Sequence, residues 1–152
     1  MKSLQAVSEL CTGCTICEMV CSLGHTGAAN PSRARLRVVE TEDERRHPII
    51  CRHCAEPRCA EACPIPGALR IDERTGAVVV EQETCDRCHA CAEACPFAAI
   101  FVGPEGEVLK CDLCGGDPLC AKYCFPRPAD LFPHLPSSDQ PCLRYEAGAA
   151  AK

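Results

Sequence analysis

Sixteen of the 17 cysteines in this 152-residue chain fall into four sets. Cys11, Cys14, Cys17 and Cys21 are spaced C-x2-C-x2-C-x3-C. Cys51, Cys54, Cys59 and Cys63 are spaced C-x2-C-x4-C-x3-C and precede Pro64. Cys85, Cys88, Cys91 and Cys95 return to C-x2-C-x2-C-x3-C, before Pro96, and Cys111, Cys114, Cys120 and Cys124 read C-x2-C-x5-C-x3-C. Thiols at this density bind metal or form disulfides. The last spacing is the same in all four sets, so the chain is built on an internal repeat.

Disulfide scaffolds belong to oxidising compartments. The opening stretch MKSLQAVSEL has no apolar run of signal-peptide length, no small-residue cleavage site and no twin arginine. No stretch approaches the ~18 apolar residues of a membrane span. The odd cysteine count also argues against full pairing. The expectation is a cytoplasmic chain whose thiols bind metal, although a subunit exported on a partner's signal would read the same way. Without its cysteines the chain is only about a third apolar and has no Trp. Such a core is thin for this length, and metal would add what side-chain burial lacks.

The third set matches the bacterial ferredoxin run C-x2-C-x2-C-x3-C-P. A [4Fe-4S] cube needs one thiolate on each iron. Three cysteines on a tight loop reach three corners, and the fourth ligates the cube of a partner motif. That fourth cysteine is expected to begin a helix, with proline in its first turn. Zinc sites instead join two C-x2-C knuckles across a longer loop, and a third cysteine three residues on crowds one tetrahedral ion. Iron–sulfur is therefore preferred, with a multi-zinc structural or interaction module as the alternative.

The stretches CTGCTICEMVCSLGH, CRHCAEPRCAEACP, CDRCHACAEACP and KCDLC resemble the four-cluster ferredoxin-like subunits of the dimethyl sulfoxide reductase, formate dehydrogenase and hydrogenase-associated family. In size the chain is similar to the small subunits of tungsten aldehyde oxidoreductase complexes. Ser22 follows the first set where proline is usual, and Phe125 separates the fourth set from Pro126. The resemblance implies an electron-transfer subunit with four [4Fe-4S] clusters and no catalysis of its own. Its implied partners are a catalytic subunit, of the tungsten- or molybdenum-pterin, CO- or hydrogen-oxidising kind, and a further carrier such as a flavin/NAD subunit or a ferredoxin.

The elements around the cysteines point the same way. Ala68 to Asp72 and Ala77 to Glu81 read as strands about the turn Glu73-Arg74-Thr75-Gly76. FAAIFVGPEGEVLK reads as a second hairpin, and RARLRVVE as a strand with Arg33, Arg35 and Arg37 on one face. A hairpin between cysteine sets is the layout of a two-cluster ferredoxin. With the resemblance, it pairs Cys51, Cys54 and Cys59 with Cys95, and Cys85, Cys88 and Cys91 with Cys63. By the same rule Cys11, Cys14 and Cys17 join Cys124, and Cys111, Cys114 and Cys120 join Cys21. The open alternative unites neighbours in sequence, first set with second and third with fourth. The expected fold is α+β, two interlocked bacterial two-cluster ferredoxin-like modules with β-hairpins and short helices. Residues 51–103 form the inner module, 1–50 with 104–124 the outer one, and 125–152 a Pro-rich C-terminal tail.

No other chemistry competes. There is no G-x-G-x-x-G and no P-loop, and fully ligated clusters leave no open iron for a substrate. His53 and His89 lie inside cysteine loops as supporting or exposed groups, His25 sits at a helix end or beside a cluster, and His47 and His134 read as surface loop residues. Sixteen thiolates with four oxidised cores take the formal charge of −5 to about −13. An acidic chain with few aromatics does not bind nucleic acid. The arginine face is either solvated or docks an acidic partner. The tail, with prolines at 126, 128, 133, 136 and 141, cannot be a long helix. It lies over a partner or over the chain's own core, with Ala147 to Lys152 loose. Cys142 is expected to be structural or exposed rather than a ligand. A cube near each end would also permit head-to-tail stacking of copies.

Overall fold

Four antiparallel strand pairs and four helices hold the cysteine loops in a computed structural model, which describes residues 2–128, 130, 133–134 and 138–147. Strands β1 (Lys2–Ala6) and β8 (Leu143–Ala147) pair with each other, as do β2 (Arg37–Glu40) and β3 (Arg46–Ile49), β4 (Leu69–Ile71) and β5 (Val78–Val80), and β6 (Ile100–Val102) and β7 (Val108–Lys110). Helix α1 spans Ile16–Thr26; α2 (Arg58–Glu61), α3 (Ala90–Glu93) and α4 (Leu119–Lys122) are single turns. This is a small α+β fold of hairpins and short helices. No helix among the described residues is long and apolar enough to cross a membrane.

Both expected hairpins form. The three valines of β5 supply the β-branched pairing surface. Asp72 closes the turn before them: its carboxylate accepts the N–H groups of Arg74 and Thr75 at 3.0 and 2.9 Å. Between β6 and β7, Gly106 takes the positive φ of +79° that the turn requires.

Helix formation around the fourth cysteines differs from expectation. Cys63 and Cys95 follow the short helices α2 and α3 rather than beginning new ones. Pro64 and Pro96 come after those turns, where proline cannot continue the helix. Cys21 lies well inside α1, so proline at position 22 would break the helix. Ser22 instead is fully buried, donates its hydroxyl to the Glu18 and Met19 carbonyls, and accepts the Asn30 N–H at 2.9 Å.

The arginine face does not exist as read. Strand β2 begins only at Arg37, and Arg33 ends a 3₁₀ turn (Pro31–Arg33). Arg33 pairs with Glu105 and Glu107, and Arg35 pairs with Asp112. Arg37 donates to the carbonyls of Ser32, Ala34 and Leu36, and its guanidinium lies 4.8 Å from the Phe101 ring centre. All three cations have partners inside the chain, and they do not share one strand face.

The tail lies over the chain's own core. β8 pairs in register with β1, Lys2 opposite Ala147, and Leu143 is buried. Ala147 therefore closes a strand and is not loose, while 148–152 lie outside the described residues. Leu4, Leu36, Ala77, Leu113 and Leu143 form the main core with Cys17, Cys21, Cys120 and Cys142. A smaller core joins Ile100, Val108 and Cys91. In both cores cysteine occupies positions that another protein fills with aliphatic side chains.

Candidate metal centres

Each cysteine loop bends through left-handed backbone two residues after its first cysteine. Gly13, His53, Arg87 and Leu113 have φ of +70°, +47°, +62° and +56°. In the first, third and fourth sets the residue after the second cysteine is left-handed too, Thr15 at +58°, His89 at +63° and Gly115 at +64°. Non-glycine residues hold such conformations only where their surroundings enforce them. Runs that alternate handedness turn successive N–H groups inward, into a concavity suited to an anionic group.

The sulfurs are brought together across the chain. Cys11, Cys14, Cys17 and Cys124 line one cavity, with Cys142 as a fifth sulfur beside them. Cys21, Cys111, Cys114 and Cys120 line a second. Cys51, Cys54, Cys59 and Cys95 line a third, of about 250 Å³. Cys91 is buried close enough to Cys85, Cys59 and Cys63 for their charges to act on it. Cys14 and Cys88 are exposed at the surface.

Backbone N–H groups point at the sulfurs that come from a distance. The Arg35, Ala99 and Leu143 N–H groups donate to the Sγ atoms of Cys21, Cys95 and Cys124 at 3.3, 3.4 and 3.3 Å. The Leu113 N–H donates to Cys111 Sγ at 3.4 Å. Such donors stabilise thiolate charge. Against them stands crowding. Burial, then the charges of Cys14 and Glu18, pushes the Cys17 thiol up to about 12. Burial, then the neighbouring cysteines, pushes Cys91 up to about 11 and raises Cys111 and Cys120 further still. Inward N–H groups and all-sulfur donor sets whose anions repel one another suit thiolate-bound iron, which neutralises the ligands as it displaces their protons.

The histidines support these sites. His25, in the last turn of α1, has both ring nitrogens occupied: Nδ1 bonds the Cys21 carbonyl at 2.7 Å and Nε2 bonds Asp112 at 3.1 Å. The Asp112 bond, then Cys21, raises its pKa to about 10. Burial opposes charge on Asp112, but His25 and Arg35 outweigh it and hold that carboxyl well below the usual range. His53 accepts the Val78 N–H at Nδ1, and its buried Nε2 has no partner among the described residues. Burial, then the Lys110 charge, lowers its pKa to about 3. His89 Nε2 donates to the Gly106 carbonyl at 2.8 Å. His47 is half-buried in β3 rather than on a loop, and His134 lies in an exposed turn.

One side chain, Lys110, escaped the sequence reading, and Cys142 takes the buried rather than the exposed of its two expected places. Cys142 is buried, and its thiol beside Cys11 holds the Cys11 thiol below its ordinary range. Lys110 is 3% exposed, and its Nζ lies 3.2 Å from Cys51 Sγ. Its only signal was its place in KCDLC, directly before a cysteine.

Comparison with known proteins agrees with the donor set. Residues 43–129 match a family described as a 4Fe-4S dicluster domain. The chain is 40% identical to the polyferredoxin-like subunit of the aliphatic sulfonate oxidoreductase of Pyrococcus furiosus, over 90% of this chain and 79% of that subunit. It is 42% identical to formate hydrogenlyase subunit 2 of Escherichia coli, over 78% of this chain and 75% of that protein. Among solved structures, a chain of the active site complex BamBC of benzoyl coenzyme A reductase aligns at 30% identity with a TM-score of 0.46, covering 82% of this chain and 72% of that one.

Proposed function

The chain belongs to the 4Fe-4S dicluster family, and from that premise we propose that it is the iron–sulfur electron-transfer subunit of an oxidoreductase complex, holding four [4Fe-4S] clusters. The observation that carries this reading is the crossing of the sets at the cavities. In each of three cavities, three cysteines of one set meet the last cysteine of another. Cys11, Cys14, Cys17 and Cys124 would hold one cluster, and Cys21, Cys111, Cys114 and Cys120 the next. Cys51, Cys54, Cys59 and Cys95 would hold the third, and Cys63, Cys85, Cys88 and Cys91 the fourth. This makes two interlocked two-cluster modules.

Bound clusters of this kind supply one-electron chemistry at potentials between roughly −700 and +450 mV. The chain's residues provide the order. Cys17 and Cys120 share one buried core, the Cys51 charge reaches Cys111, and the Cys59 charge reaches Cys91. These contacts support a line of four centres with the Cys11 and Cys85 groups at its ends. Exposed Cys14 and Cys88 sit in those two end groups. One end would receive electrons from a catalytic subunit and the other would deliver them to a second carrier. A catalytic subunit of the tungsten- or molybdenum-pterin, CO- or hydrogen-oxidising kind fits the resemblance, and the relatives named above are described as subunits of a sulfonate oxidoreductase and of formate hydrogenlyase.

Iron, acid-labile sulfide and zinc should be measured on anaerobically purified protein, with EPR spectra before and after dithionite. About 16 iron and 16 sulfide per chain, with interacting S = 1/2 signals on reduction, are expected. Near-stoichiometric zinc without an EPR signal would overturn the reading.

A further inference from the structure

We propose that Lys110 supplies the fixed positive charge that sets the reduction potential of the centre held by Cys51, Cys54, Cys59 and Cys95. This rests on the electron-transfer reading above. Lysine is almost never fully buried without a partner. Lys110 ends β7, where all three residues are buried, and none of its ion partners among the described residues is a carboxylate. Its Nζ donates to Cys51 Sγ at 3.2 Å and to the Val78 carbonyl. The sulfur is therefore its counter-charge. Val78 also donates its N–H to His53 Nδ1 at 3.3 Å, so one backbone unit holds both side chains against the same cavity.

The neighbouring group differs. There Arg35 is already neutralised by Asp112. At the Cys51 cavity Arg52 and Arg58 are exposed to solvent, whereas Lys110 is buried with the sulfur as its charge partner, and its place in the chain is the junction of the two groups. Its backbone leads directly into Cys111 while its side chain reaches Cys51. One electron entering the Cys51 group adds one negative charge beside Nζ. A cation fixed there in a low-dielectric surrounding favours that reduced form, and no proton need accompany the electron. Without that charge, placing an electron at the middle of the relay would be less favourable.

The test is an EPR-monitored redox titration of the iron-loaded chain, as wild type and as Lys110→Met, Lys110→Gln and Lys110→Arg. The Cys51 group is assigned by the signal that changes in Cys54→Ser. Lys110→Met and Lys110→Gln should lower the reduction equilibrium constant of that one centre about tenfold or more, a shift of 59 mV for one electron. Lys110→Arg, which keeps the charge, should stay near wild type. Full iron content with unmoved potentials in the Met and Gln variants would overturn the proposal and leave the relay standing. A wild-type potential in Lys110→Gln alone would overturn the role of charge, leaving only a hydrogen bond. Should Lys110→Met fail to load iron, the Gln and Arg pair decides. Wild-type protein without iron would instead bring down the electron-transfer reading itself.

Discussion

Arg35 and Asp112, 77 residues apart in sequence, meet as an ion pair, and Asp112 also binds His25 Nε2 and the Cys114 N–H. One carboxylate therefore ties the end of α1, the segment before β2 and the loop of the fourth cysteine set. Hydrogen bonds to a charged group are worth about 1.5–3 kcal/mol each. Asp112→Asn keeps the shape and removes the charge. It should lower the unfolding free energy of the iron-loaded protein by about 1–3 kcal/mol, with Asp112→Ala losing more. An unchanged denaturation midpoint in both variants would show that the three elements are held by something else.

Arg33 spans from its 3₁₀ turn to Glu105 and Glu107 on the β6–β7 hairpin. Reversing its charge in Arg33→Glu should loosen that hairpin, with amide hydrogen exchange across 100–110 quickening about tenfold. Arg45→Glu is the control, since Arg45 is exposed and pairs only with nearby Asp43. Equal exchange in the two variants would return Arg33 to the solvent-facing role that its sequence suggested.

The proposed crossed arrangement would make Cys63 a ligand of the third set's centre, not of its own. In Cys63→Ser, the EPR signal that is altered by Cys88→Ser should change, while the one altered by Cys54→Ser should persist. The reverse pattern would replace the crossed scheme with one in which each set keeps its own fourth cysteine.

The four cysteine sets were legible because ligand spacing is local chemistry, readable within 11 to 14 residues. The β4–β5 and β6–β7 hairpins were legible for a similar reason: β-branched runs flank turns at Gly76 and Gly106. What escaped was non-local or disguised. Strand β3 contains Pro48, tolerated because the strand belongs to a two-stranded ribbon, which has only edges. Strand β8 follows a proline-rich stretch, and its partner β1 lies at the other end of the sequence. Arginines at alternate positions suggested a strand face, but each finds a separate partner in the tertiary structure. Lys110 looked like any lysine, since nothing local announces that β7 is buried on both faces.

The crossing of cysteine sets also orders events on the ribosome. A chain emerging N-terminus first presents Cys11, Cys14 and Cys17 long before it presents Cys124. The group of Cys63, Cys85, Cys88 and Cys91 becomes complete first, at residue 91, and the Cys51 group follows four residues later. The Cys21 group waits for Cys120. The group that begins earliest in the chain closes last, at Cys124, and its backbone donor Leu143 arrives later still. Loading of each proposed centre as its ligands emerge would run from one end of the relay towards the other, and the nascent chain would carry the four thiols of its first set unmatched through most of its synthesis.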